Sequence, residues 1–256
     1  LLMHNLTYAP IPKWGHIAKA IINKQLSNEK LAEYWLLGNE KSYWFSRSAW
    51  SLYVIVKFRL QISSEDQIKA WVPSYFCNES LVAARSLPVT LYFYPVLSNG
   101  KPDLTECNKM LDNCNPDIIL FVHYFGEEVF SEELYDLALK NDAWLIEDAV
   151  HCLKPSRGIG NQGDFVLYSP HKLLAIPDGG LLVIREEGPS KITSNLLEKF
   201  NFNEVYDSVI NMRQFSNLFT YKWLVKRLIQ KLGLHFSHKK IIFNSENKMQ
   251  DIKQLP

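Results

Sequence analysis

The sequence predicts an α/β protein with a mostly parallel central sheet and helices on both faces. Two observations carry this. Short, wholly apolar runs such as Ile118-Ile119-Leu120-Phe121-Val122 show no polar alternation, as expected of strands covered on both sides. Segments of about ten residues with helical spacing fall between these runs, and strand and helix alternate from residue 69 to residue 185.

Residues 1–45 read as an N-terminal arm with helices near 17–24 and 28–37; Pro10, Pro12 and Trp14 mark its start. A longer helix is expected over Ser48–Leu60. Ala49, Leu52, Ile55, Val56 and Phe58 give it an apolar face, and Ser48 is the expected cap. Then come a strand at Lys69–Pro73, a helix at Glu79–Arg85, a strand at Val89–Tyr94 and a helix at Leu104–Asp112. Asp117–His123 is the most apolar strand. Ser131 opens a helix to Lys140, with Glu133 close behind it. Strands follow at Ala143–Glu147, Phe165–Ser169 and Leu181–Arg185. Beyond Arg185 the chain reads as mainly helical, with one further strand at Lys240–Phe243. Asn217–Leu234 forms a basic amphipathic helix: Phe219, Trp223, Leu224, Leu228, Ile229 and Leu232 on one face, Lys222, Lys226, Arg227 and Lys231 on the other. Packing of its apolar face on the main body is the favoured reading, ahead of contact with a membrane surface or an acidic partner.

A chain of 256 residues can bury one sizeable core and part of a second. Its 28 basic and 27 acidic residues nearly cancel, so overall charge gives no argument for nucleic acid as the main partner. Cys77, Cys107, Cys114 and Cys152 lack paired metal-ligand spacing, so no metal site is expected, and reduced thiols in the cytoplasm are. No apolar run is long enough to span a membrane. The chain opens on Leu1, with neither a charged start nor an apolar signal core, and a missing N-terminus is expected.

Ligands of parallel sheets sit at the carboxyl ends of the strands. Asp148 ends one buried-type strand and Ser169 another. Lys172 follows three residues later, then Asp178-Gly179-Gly180. Singly these are weak signals. A terminal Asp is as often a cap as a ligand, a lone Ser-x-x-Lys arises by chance, and Gly-Gly can be a plain turn. Together, in this order, they are what a pyridoxal phosphate enzyme needs. A lysine forms the imine with the cofactor aldehyde, an acid keeps the pyridine nitrogen protonated, and a hydroxyl reaches the phosphate. His123 also ends an apolar strand, where a packed, hydrogen-bonded histidine is commoner than a catalytic one.

These residues resemble those of the DegT-type sugar aminotransferases, a branch of the fold-type-I pyridoxal phosphate enzymes. The matching runs are Glu147-Asp148-Ala149-Val150-His151, Lys172 followed by Asp178-Gly179-Gly180, Val122-His123-Tyr124-Phe125-Gly126, Ser46-Arg47-Ser48-Ala49 and Pro73-Ser74-Tyr75-Phe76. They cover about residues 40–185. Two details differ: His151 stands where glutamine is commoner, and Ser169 precedes the lysine by three residues rather than five. The resemblance implies a fold-type-I large domain at 46–185 and a C-terminal segment, 186–256, whose small domain is incomplete. It implies that Lys172 is catalytic, holding the cofactor as an aldimine and shuttling a proton. Asp148 would pair with the pyridinium, His151 lie beside the ring, and Ser169, Ser48 and Ala49 meet the phosphate. Phe76, or second to it Tyr75, would stack on the ring. The implied reaction moves an amino group from an amino acid to a keto sugar of the nucleotide-linked kind, in a homodimer whose sites lie at the subunit interface. Two alternatives stay open: a truncated or degenerate member with a structural or interaction role, and another pyridoxal phosphate reaction such as dehydration.

Overall fold

The computed structural model describes residues 12–22, 26–129, 131–212 and 217–231. Its strands are β1 (Lys41–Phe45), β2 (Ile68–Pro73), β3 (Val89–Tyr94), β4 (Ile118–Val122), β5 (Trp144–Asp148), β6 (Phe165–Tyr168) and β7 (Gly180–Ile184). Its helices are α1 (Trp14–Ile22), α2 (Asn28–Ala32), α3 (Ser48–Ile62), α4 (Asn78–Leu81), α5 (Leu104–Leu111), α6 (Glu132–Lys140), α7 (Pro170–Leu173), α8 (Ser194–Lys199), α9 (Phe202–Met212) and α10 (Asn217–Lys231). Short 3-10 turns occur at Glu33–Trp35, Ala84–Ser86 and Tyr124–Gly126.

The strands form one sheet in the order β1-β7-β6-β5-β4-β2-β3. β3, β2, β4, β5 and β6 pair in parallel, while β7 is antiparallel to both β6 and β1. Alternate residues feed opposite faces. Phe45, Ile68, Ala70, Val72, Leu120, Ile146, Leu167 and Leu182 pack on one side with Val54, Ile55 and Phe58 of α3 and Phe202, Val205 and Val209 of α9. On the other side Trp71, Ile119, Phe121 and Leu145 pack against Cys107 of α5 and Leu134, Leu137 and Ala138 of α6. Further along that side, Val166, Tyr168, Leu181 and Val183 are covered by Ala32 and Trp35 of the N-terminal region. The expected sheet, covered on both faces, is thus present.

The expected strands within residues 69–185 all form, to within a residue or two. Five details differ. Lys41–Phe45, grouped with the arm from sequence, is the edge strand β1. The helix expected over 28–37 stops at Ala32 and tightens into a 3-10 turn, and that over 79–85 divides in the same way. Ser48 does not cap α3. Arg47 holds the extended capping position and Ser48 is the first helical residue, so the Ser48 hydroxyl is not spent on the helix. In α10, Trp223 carries the Arg227 guanidinium at 5.4 Å, while Tyr221 and Val225, not assigned to the apolar face from sequence, are exposed. The expected strand at 240–243 lies outside the described residues.

Candidate active site

Parallel pairing gathers the ends of β2, β4, β5 and β6 along one rim of the sheet. Val122 pairs with Asp148, and Asp148 with Leu167, so β4, β5 and β6 finish level. β7 runs the other way and begins at this rim. Phe45, the last residue of β1, pairs with Gly180, which brings the start of α3 to the same place. A Cβ on Gly180 would run into the Arg47 carbonyl carbon and the Ser48 nitrogen. Only glycine lets the helix approach the strand this closely.

Glu147 and Asp148 are both buried and, as strand neighbours, point to opposite faces. Glu147 accepts from the backbone N–H groups of Gly160, Gln162 (2.9 Å) and Gly163 (3.1 Å), and meets His123 Nε2 at 2.7 Å. His123 is fully buried and packed, its Nδ1 accepting from Val129 N–H at 3.3 Å. This pair ties the loops after β4 and β5 to the sheet. Asp148 turns toward the cavity. Its Oδ1 accepts from Val150 N–H at 3.0 Å, which leaves Oδ2 for a donor in the cavity. Burial raises its carboxyl to a pKa of about 6; the Val150 hydrogen bond and the charges of Lys172 and His123 oppose the rise.

The segment from Ser169 to Gly180 is tied to the start of α3. Ser169 Oγ donates to Ser48 Oγ at 2.8 Å, and Gly179 N–H to the Ser46 carbonyl at 3.0 Å. His171 Nδ1 bonds the Gly179 carbonyl at 2.7 Å, and Lys172 N–H the Ser169 carbonyl at 2.9 Å. The first N–H groups of α3, at Ser48 and Ala49, have no partner inside their helix and carry its positive end. They lie beside two hydroxyls, one of them fully buried, an arrangement suited to a phosphate.

A cavity of about 280 Å³ opens at the rim. Asp148, His151, Lys172, Phe76 and Tyr75 line it, so it gathers the expected acid, histidine, lysine and both aromatic candidates. Ser169, Ser48 and Ala49 are outside this lining; they adjoin it through the turn that carries Lys172. Sequence reading gave no site role to Tyr124, Phe125, Cys77 and Ser80, which also line the cavity. Their signal was position alone, in the loops that follow β2 and β4. Tyr124 donates to the Tyr75 carbonyl, and their rings lie 5.6 Å apart. Burial and the nearby Asp148 charge raise the Tyr124 hydroxyl above its usual range. Phe125 holds a left-handed backbone, φ 57°, and is 81% exposed. Its N–H donates to His151 Nδ1 at 3.2 Å and its ring lies parallel to the imidazole at 6.0 Å. Burial on that side, with Lys172 nearby, lowers the His151 pKa.

These residues fit pyridoxal phosphate. A buried acid faces the cavity that Lys172 lines, and the gap Gly180 leaves for α3 sets hydroxyl and N–H donors beyond that lysine.

Residues 100–206 match the DegT/DnrJ/EryC1/StrS aminotransferase family. No curated protein sequence matches the chain. Among solved structures, Helicobacter pylori PseC, an aminotransferase involved in the biosynthesis of pseudoaminic acid, is similar at TM-score 0.58 and 19% identity, over 76% of this chain and 54% of that one. The aminotransferase TlmJ from Streptoalloteichus hindustanus is similar at TM-score 0.51 and 19% identity, over 67% and 45%. 3-Amino-5-hydroxybenzoic acid synthase is similar at TM-score 0.51 and 15% identity, over 74% and 51%. The chain spans about half the length of these proteins and shares their fold, a mostly parallel sheet with helices on both faces.

Proposed function

We propose that this chain, with its aminotransferase-family segment at 100–206, acts as a pyridoxal phosphate-dependent aminotransferase. In this reading an amino acid such as glutamate is the donor, and a keto group on a nucleotide-linked sugar is the acceptor. The observation that carries the reading is Lys172 and the buried Asp148 lining one cavity, with the start of α3 and Ser169 beyond the lysine.

When bound, the cofactor supplies an electron sink for the bonds at the substrate carbon. Lys172 Nζ anchors it and moves the proton to and from that carbon. Asp148 Oδ2, ionised beside a positive ring, holds the proton on the pyridine nitrogen. Its ionisation is costly in the bare cavity, so the cation offsets a burial penalty that the fold has already accepted. Ser48, Ala49 and Ser169 fix the phosphate. His151 presents Nε2–H to the ring, since Nδ1 is engaged by Phe125. Tyr75 and Phe76 close the wall, and either can stack on the ring.

We also propose a homodimer. Trp14, Tyr34 and Leu37 in the N-terminal region and Tyr75 and Phe125 at the cavity mouth are exposed apolar groups that a second copy would cover. Borohydride reduction of the cofactor-treated protein, with peptide mapping, tests the enzyme reading. Label on Lys172 is the expected result; label elsewhere, or none, rejects it. Light scattering tests the dimer.

A further inference from the structure

The charge of this chain is nearly balanced overall but not along its length. Between Asp207 and Glu246 there is no acidic residue and there are seven Lys or Arg, which leaves the rest with 21 bases against 27 acids. α10 lies within this stretch. Tyr221, Val225 and Leu228 follow at i, i+4 and i+7, so they share one side of the helix, with Leu224 beside them. Among the described residues that side is only partly covered: Tyr221 is 67% exposed and Val225 54%, while Leu224 and Leu228 are half-buried. Lys222 and Lys226, both exposed, border the stripe on one flank, and Arg227 lies toward the other.

We propose that α10 is a docking face for the surface of an anionic lipid bilayer. An exposed apolar stripe bordered by cations, in a stretch of sequence without acids, meets the headgroup region on both counts. The apolar groups enter the acyl boundary and the lysines face anionic headgroups. A nucleic acid would satisfy the cations but leave Tyr221, Val225 and Leu228 in water. The helix lies on the surface rather than crossing it, since no described helix is long and apolar enough to span a membrane. The docking is independent of the rim of the sheet and goes beyond the aminotransferase reading.

The test is co-flotation of the 256-residue chain with phosphatidylcholine vesicles containing about 30% phosphatidylserine, against vesicles of phosphatidylcholine alone. Binding is expected only to the anionic vesicles. It should weaken roughly tenfold or more in the Lys222→Glu/Lys226→Glu double variant, and comparably in Tyr221→Ser/Val225→Asp. Circular dichroism and pyridoxal phosphate absorbance of each variant confirm that the sheet and its cavity are intact. No binding to anionic vesicles overturns the proposal. So does binding that the apolar substitutions leave unchanged, because that is plain charge adsorption. So does a self-associated form lost in Tyr221→Ser/Val225→Asp without vesicle binding, because a second copy then covers the stripe.

Discussion

Ser169 and Ser48, far apart in sequence, share a hydrogen bond of 2.8 Å at the junction of β6 and α3. Each is the other's partner, so neither hydroxyl is left dry and unpaired. Ser169→Ala should weaken pyridoxal phosphate binding about five- to tenfold, the worth of roughly 1 kcal/mol for one hydrogen bond. Titration followed by visible absorbance measures this. Unchanged affinity in both Ser169→Ala and Ser48→Ala would remove the phosphate from this corner.

Lys172→Ala should abolish covalent cofactor attachment and turnover, yet leave thermal stability within about 0.5 kcal/mol, because the residue is exposed on a short turn. Calorimetry beside an activity assay separates the two effects. A large loss of stability would make Lys172 a structural residue.

Asp148 carries a signed pH effect. Its pKa in the folded chain is about 6 against 3.8 ordinarily, so between those values the folded state keeps a proton that the unfolded state has released. Stability therefore falls as pH rises through that window and stays lower above it. Asp164 adds to the same slope, since burial raises it to about 6 as well. Asp148→Asn removes the Asp148 share and keeps an oxygen for Val150 N–H. Without cofactor, the variant should be more stable than the parent at pH 7 by roughly 1–3 kcal/mol, with the difference fading by pH 3. Its turnover should fall by about tenfold or more. Chemical denaturation at the two pH values decides it; a variant less stable at pH 7 would contradict the burial account.

Nδ1 of His151 accepts a hydrogen bond from Phe125 N–H, and its pKa lies below the usual histidine value. At pH 7 the ring should be neutral with its proton on Nε2. Nitrogen-15 NMR of labelled protein should show one pyridine-like and one pyrrole-like nitrogen at His151. Two protonated nitrogens at that pH would show that the Phe125 contact does not set the tautomer.

The parallel sheet was legible in the sequence because residues in its middle strands are apolar on both faces, as at Ile118–Val122, and such runs have few other uses. β1 was not, because Lys41-Ser42-Tyr43-Trp44-Phe45 is an edge strand whose pattern mixes polar and aromatic residues. That Asp148 and Lys172 would share one cavity was legible because one ends a strand and the other closely follows one. The place of Tyr124 and Phe125 there was not. Phe125 meets His151 through a backbone N–H in a left-handed turn, and no property of a phenylalanine side chain announces that. The cap of α3 was misplaced for a related reason: serine is the usual capping residue, but here its hydroxyl is taken by Ser169.

Among the described residues β1 has a single neighbour, β7, and their pairing joins Lys41 to Ile184. Closing so long a loop costs more chain entropy than any other pairing in the sheet. During synthesis, Ser48 leaves the ribosome well before Ser169 and Gly180 exist. The five parallel strands can therefore collapse before β1 has β7 to pair with, and the start of α3 meets Gly180 only once β7 is made. The corner where Ser48, Ser169 and Gly180 meet is then completed only once β7 exists, so any ligand held there would report the end of folding rather than its beginning.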